Sequence, residues 1–82
     1  MDPILGSIIL MPWKWQVEGW LKCDGTELNI RSNQALYCLL GNEFGGSGTT
    51  TFCIPKLSPI KTENGGDLDY YICIQGVFPS RS

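Results

Sequence analysis

Residues 19–55 constrain the fold more than any other part of this chain. They run Gly19-Trp20, Cys23-Asp24-Gly25, a Leu-rich stretch, a Gly-rich loop and a Thr-rich run ending in Phe52 and Pro55. Each piece is a local instruction: a turn, a helix or a strand, in fixed order. Almost nothing in the stretch can do chemistry, so binding or assembly is the leading expectation.

The local signals predict a mostly β domain with one short helix. Ile4 to Leu10 is apolar and β-branched and reads as a buried first strand. Pro12 and Gly19 break the next segment, and Trp20 to Cys23 resumes as a strand. Asp24-Gly25 predicts a tight hairpin, because a type I′ turn needs positive φ at both central positions. Thr26 to Ile30 is then the returning strand. Ser32 or Asn33 can cap a helix whose Ala35, Leu36, Leu39 and Leu40 share one face, with Gly41 closing it in the left-handed region. So short a helix does not persist alone and must dock on the strands. Phe44 to Gly48 reads as a loop that lets Phe44 and Phe52 enter the core, and Thr49 to Ile54 as a strand stopped by Pro55. Lys56 to Asp69 is expected to be the least ordered part. Tyr70 to Gln75 is the last strand, with Tyr70, Ile72 and Ile74 on one face and Tyr71, Cys73 and Gln75 on the other.

At 82 residues the chain is one domain, residues 1–82, with a thin core. Chains of this size bury only about 60% of their unfolded surface. A 43% hydrophobic content argues against disorder despite ten glycines and five prolines. Thin core and abundant apolar residues together predict self-association. The net charge is −2 and the basic residues are scattered, which excludes a nucleic-acid polymer as partner. Glu63, Asp67 and Asp69 read as a solvated acidic loop. The longest apolar run, Ile8 to Pro12, is too short to span a membrane, and no signal peptide is visible. The four cysteines, at 23, 38, 53 and 73, form no CxxC pair and the chain has no histidine, so free buried thiols are expected, with no metal and no cofactor.

The same residues resemble the phage tail collar domain, as found in tail-fibre proteins and in small proteins of the microcystin-dependent type. The matching positions are Gly19, Trp20, Cys23, Asp24, Gly25, Ala35, Leu36, Leu39 to Gly41, Phe44 to Gly46, Gly48, Thr50 to Phe52 and Pro55, with weaker agreement at Leu5 to Ile8. The tail from Ile72 to Arg81 is similar to the ending of the shortest members. Three departures stand out. Val17 replaces a proline, Lys56-Leu57-Ser58-Pro59 replaces an acidic, leucine and Arg-Gly-Arg run, and no His-rich distal segment exists. The resemblance implies a single collar-type domain with 57–69 as a variable loop. It also implies a homo-oligomer, a trimer before a dimer, and a partner among phage tail proteins, in the virion or in the host cytoplasm.

No catalytic residue can be assigned. A serine or cysteine nucleophile lacks a histidine base, Asp67 and Asp69 have no evident pocket, and Glu18 and Glu27 would pair only by accident of folding. The loop at 45–48 lacks the Gly-Lys-Ser/Thr of a phosphate-binding loop. The candidate interface or ligand residues are Trp13, Lys14, Trp15, Arg31, Phe78 and Arg81. Trp13 and Trp15 are expected to project the same way from an extended loop. The plain reading is that they cap the open end of the core. The sharper one is a platform for a base or a sugar, with Lys14 or Arg31 meeting a phosphate or hydroxyl. Val77-Phe78 either docks across a subunit boundary or packs back on its own chain. Three functions remain open: a collar-type assembly module; an anti-defence protein that sequesters a nucleotide-like signalling molecule at a subunit boundary; and a carbohydrate-binding module.

Overall fold

A computed structural model describes residues 3–79. It forms a small, mostly β domain with one short helix, in the order β1 (Ile8–Met11), β2 (Trp20–Lys22), β3 (Glu27–Asn29), α1 (Gln34–Leu40), β4 (Thr51–Cys53), β5 (Ile60–Lys61) and β6 (Asp67–Cys73). β6 is the spine. It takes β1 along one side and β2 along the other, both antiparallel, with Ile9 opposite Tyr71 and Leu21 opposite Ile72. β5 pairs with the first residues of β6. β3 and β4 form a separate two-stranded sheet, with Leu28 opposite Phe52.

The core lies between the two sheets and α1. Leu5, Cys23, Leu36, Phe52, Ile54 and Ile72 are buried, ringed by half-buried side chains such as Leu28, Tyr37, Leu40 and Tyr70. Tyr71 and Cys73 are buried as well, so β6 is covered on both faces at its C-terminal end.

Several local expectations are corrected. The first strand starts at Ile8, because Ser7 N–H turns back to the Ile4 carbonyl and Ile4 instead makes an isolated parallel bridge to Val77. Asp24-Gly25 is no β2–β3 hairpin. Among the described residues only glycines have positive φ, so Asp24 cannot supply the first half of a type I′ turn. Its carboxylate accepts the Thr26 N–H at 3.1 Å and the Thr26 hydroxyl, an Asx turn that carries the chain from one sheet to the other. Cys23 sits at that crossing. Its N–H reaches the Tyr70 carbonyl and its own carbonyl accepts from Leu57.

The helix is entered through a 3₁₀ turn at Arg31–Asn33, and neither Ser32 nor Asn33 caps it with a side chain. The acceptor is Asn29 Oδ1, which takes the Ser32 N–H at 3.3 Å. Its buried stripe is Leu36 with half-buried Tyr37 and Leu40, while Ala35 and Leu39 face outward. Tyr37 packs on Phe52 with ring centroids 5.3 Å apart. Gly41 ends the helix with φ 63°, as expected, but with ψ −156° in place of the left-handed helical value. Phe44 is 47% exposed, so only Phe52 of that pair enters the core. The stretch expected to be least ordered contains the β5–β6 hairpin, turned by Thr62, whose hydroxyl accepts the Gly66 N–H. Asp67 and Asp69 lie on β6 and not on a loop.

Candidate functional site

The segment from Pro12 to Gly19 leaves β1 and returns into β2, and it is pinned from within. Gln16 Nε2 donates to the Trp20 carbonyl at 2.7 Å, and Trp20 N–H to the Val17 carbonyl at 3.1 Å. Tyr71 Oη donates to the Trp13 carbonyl at 2.9 Å. The Trp13 ring then rests 4.7 Å from Tyr71 and edge-on to Trp20 at 6.0 Å. Centroid spacings of this kind are those of favourable aromatic pairs.

Trp13 and Trp15 differ in burial. Trp13 folds onto the sheet, half-buried, and Trp15 is 69% exposed. With Lys14, Gln16, Lys22 and Tyr71 they line a cleft of about 230 Å³. Lys22 forms its rim and is held by Asp69 at 3.6 Å. The cleft thus combines two indoles with two lysines, one of them, Lys22, already neutralised by Asp69.

Arg31 is not part of this cleft. It lines a separate one of about 410 Å³ with Asn29, Ile30, Gln34, Thr49 and Thr50. Among the described residues Arg31 has no ion-pair partner. Phe78 is exposed, but its backbone neighbourhood is docked on the chain's own N-terminal segment: Leu5 N–H reaches the Val77 carbonyl and Val77 N–H the Pro3 carbonyl. Arg81 lies outside the described residues.

The remaining motif positions are architectural. Cys23 and Phe52 are fully buried, Pro55 is buried and its carbonyl accepts the Gly25 N–H, and the Gly19 carbonyl accepts from Ile74. The Gly45 carbonyl takes the Cys53 N–H. Gly46 is obligatory, because a Cβ there would meet Phe52 Cα at 2.5 Å.

The Gly-rich loop shows why it does not cradle phosphate. Ser47 Oγ accepts the N–H groups of Thr49, Thr50 and Thr51 at 3.2, 3.0 and 3.1 Å. The amides that would face an anion already converge on the loop's own hydroxyl. Thr51 Oγ1 in turn donates to Glu27 at 2.6 Å, tying the loop to β3.

The thiols are free, as expected, but not all buried: Cys23 and Cys73 are, Cys53 is half-buried and Cys38 is exposed. Burial first, and the Asp24 charge second, push the Cys23 thiol up to about 11, so it is no nucleophile at neutral pH. Among the described residues no three His, Cys, Asp or Glu side chains converge as metal ligands would, and no helix is long and apolar enough to cross a membrane.

Sequence reasoning missed Gln16, Lys22 and Tyr71 at the cleft and Ser47 in the loop. Lys22 and Tyr71 are brought together by the β2–β6 register, which no local pattern encodes, and Gln16 joins them through its hydrogen bond to the Trp20 carbonyl. Ser47 had a local signal, a serine just before Gly48 and three threonines.

The family model described as Phage Tail Collar Domain matches residues 6–59. No curated protein and no solved structure matches the chain significantly.

Proposed function

Since the chain belongs to the phage tail collar domain family, we propose that it acts without bond-making, as a structural module that assembles with copies of itself and with phage tail proteins. The observation that carries this reading is the mismatch between a thin core and a greasy surface. Six residues form the central buried cluster, while Ile4, Trp15, Val77 and Phe78 each leave roughly half or more of their surface in water. Ile4 and Val77 are neighbours across a parallel bridge and Phe78 follows Val77, and adjoining exposed apolar side chains mark interaction surfaces. A trimer is the first arrangement and a dimer the second, and the virion is the proposed location.

Sedimentation equilibrium over a hundredfold dilution tests the assembly, and immunodetection in purified particles tests the location. A folded monomer at every concentration would sink the first, and absence from particles the second.

The Trp13–Trp15 cleft favours a second reading, capture of a nucleotide-like molecule at a subunit boundary. An indole face flanked by Lys14 and Lys22 has the elements for stacking a base and meeting its phosphate. Thermal shift against mono-, di- and cyclic nucleotides, with neutral sugars alongside, separates the cases. A rise with nucleotides that Trp15→Ala abolishes supports capture. A rise with sugars alone supports a carbohydrate module, and no rise leaves assembly as the function.

A further inference from the structure

β1 is the open edge of the larger sheet, and its exposed backbone is self-complementary. Among the described residues β1 pairs only with β6. Which of its groups are left over follows from the alternation of an antiparallel ladder. On β6, Tyr70 and Ile74 bond toward β2, through the Tyr70 carbonyl to Cys23 and the Ile74 N–H to Gly19. Cys73 bonds toward β1, through its N–H to Ser7 and its carbonyl to Gly6. The odd-numbered β6 residues therefore serve β1, where their partners are Ile9 and Met11. The N–H and C=O groups of Ile8 and Leu10 point away from β6, and among the described residues no backbone group bonds them.

Natural sheets protect such an edge with a lysine, an inward charge, a bulge or a cover. This edge has none of the charges: from Pro3 to Trp13 no side chain is ionisable. Its side chains are also unfinished. Ile8 lies opposite buried Ile72, on the core side of the sheet, yet remains 43% exposed. Among the described residues no strand continues the core face beyond this rim.

We infer that β1 pairs antiparallel with β1 of a second copy about a two-fold axis through Ile9. In that register Ile8 of one copy faces Leu10 of the other. The outward groups of both then exchange hydrogen bonds reciprocally, and Ile9 faces Ile9 as the non-hydrogen-bonded pair. The next outward position is Pro12, which has no N–H, so the ladder ends there by construction. Exposed Ile8 packs beside Leu10 of the second copy and extends the core across the axis. Charge does not oppose the contact, because the paired segments carry none.

The inference rests on the self-assembly proposed above but can fail separately from it, since a two-fold contact allows a dimer, or a hexamer when combined with a three-fold one. Two measurements on the intact chain decide it. Solution mass is determined for wild type and Ile8→Lys, and amide exchange is followed residue by residue in the wild-type protein by NMR. A dimer or hexamer whose Ile8 and Leu10 amides are as protected as those of Ile9 and Met11, with loss of the two-fold partner in Ile8→Lys, supports the pairing. A trimer with fast-exchanging Ile8 and Leu10 overturns it and leaves self-assembly standing. A monomer with those amides fast overturns both, and a monomer with them protected means the chain covers its own edge and also overturns the pairing. If Ile8→Lys fails to fold, the wild-type exchange pattern decides alone.

Discussion

Gly46 and Gly41 are both glycines with positive φ, and they differ in what surrounds them. A Cβ at Gly46 would lie 2.5 Å from Phe52 Cα and 2.7 Å from the Thr51 carbonyl, backbone atoms of a strand that cannot yield. A Cβ at Gly41 meets nothing within 4 Å. Gly46→Ala combines strain with overpacking and is expected to cost about 2–5 kcal/mol. Gly41→Ala carries strain alone, about 1–3 kcal/mol, because φ 63° with ψ −156° is a region open essentially to glycine only. Urea midpoints compare them, and equal losses would contradict the close approach. The cysteines divide in the same way. At pH 8 a thiol-specific disulfide reagent is expected to label Cys38 promptly in the folded state, and Cys23 and Cys73 only on unfolding. Cys23 also gives stability an alkaline limb. The folded state holds its proton up to about 11 against an ordinary 9.0. The stabilisation is complete below pH 9 and is lost as pH rises from 9 toward about 11. Urea titrations at pH 8 to 11 should show this decline, with a shallower one in Cys23→Ala.

At the scale of elements, the tryptophan pair is the clearest separation of packing from display. Trp13 ties the β1–β2 connection to β6 through Tyr71 and to β2 through Trp20. Trp13→Ala should remove about 2–4 kcal/mol of stability, near the lower end of values for large-to-small aromatic changes because the site is half-buried. Trp15→Ala should change stability by less than about 0.5 kcal/mol, as a surface substitution does. Thermal melts of both variants check this, and a stable Trp13→Ala would show that the cleft wall is not structural. The Gly-rich loop depends on one hydroxyl. Ser47→Ala strands three amides in a solvent-facing loop and should cost about 1–2 kcal/mol. Faster amide exchange at Thr49, Thr50 and Thr51 is the specific signature, and unchanged exchange there would remove Ser47 from its role.

For the whole molecule, folding and association are expected to be coupled. Among the described residues the central core is six side chains and the exposed large apolar ones outnumber it. A species that binds its own copies in the folded state gains stability by mass action. The melting temperature should therefore rise by a few degrees for each tenfold increase in protein concentration. A concentration-independent melt would place the exposed apolar surface outside self-assembly. Electrostatics contribute little at this scale. Lys22–Asp69 is the one ion pair among the described residues, and with Lys22 half exposed it is worth less than about 1 kcal/mol.

What the sequence determined by itself is what depends on near neighbours. The break at Gly19 placed β2, and alternation and β-branched content placed β4 and the end of β6. The apolar spacing placed α1, and Gly41 its end. The order of these signals marked the family. The Asp24-Gly25 turn was visible, but not its type, because the φ of Asp24 depends on which sheet the chain joins next. The outward turn of Leu39 and Phe44 also needed the fold, since burial is decided by what stands opposite a side chain. Only the tertiary structure brought Tyr71 under Trp13, separated Arg31 from both indoles and left β1 at an edge. Those are contacts between residues far apart in the chain, and their register is set by the competition of all strands for partners. No local pattern carries that information.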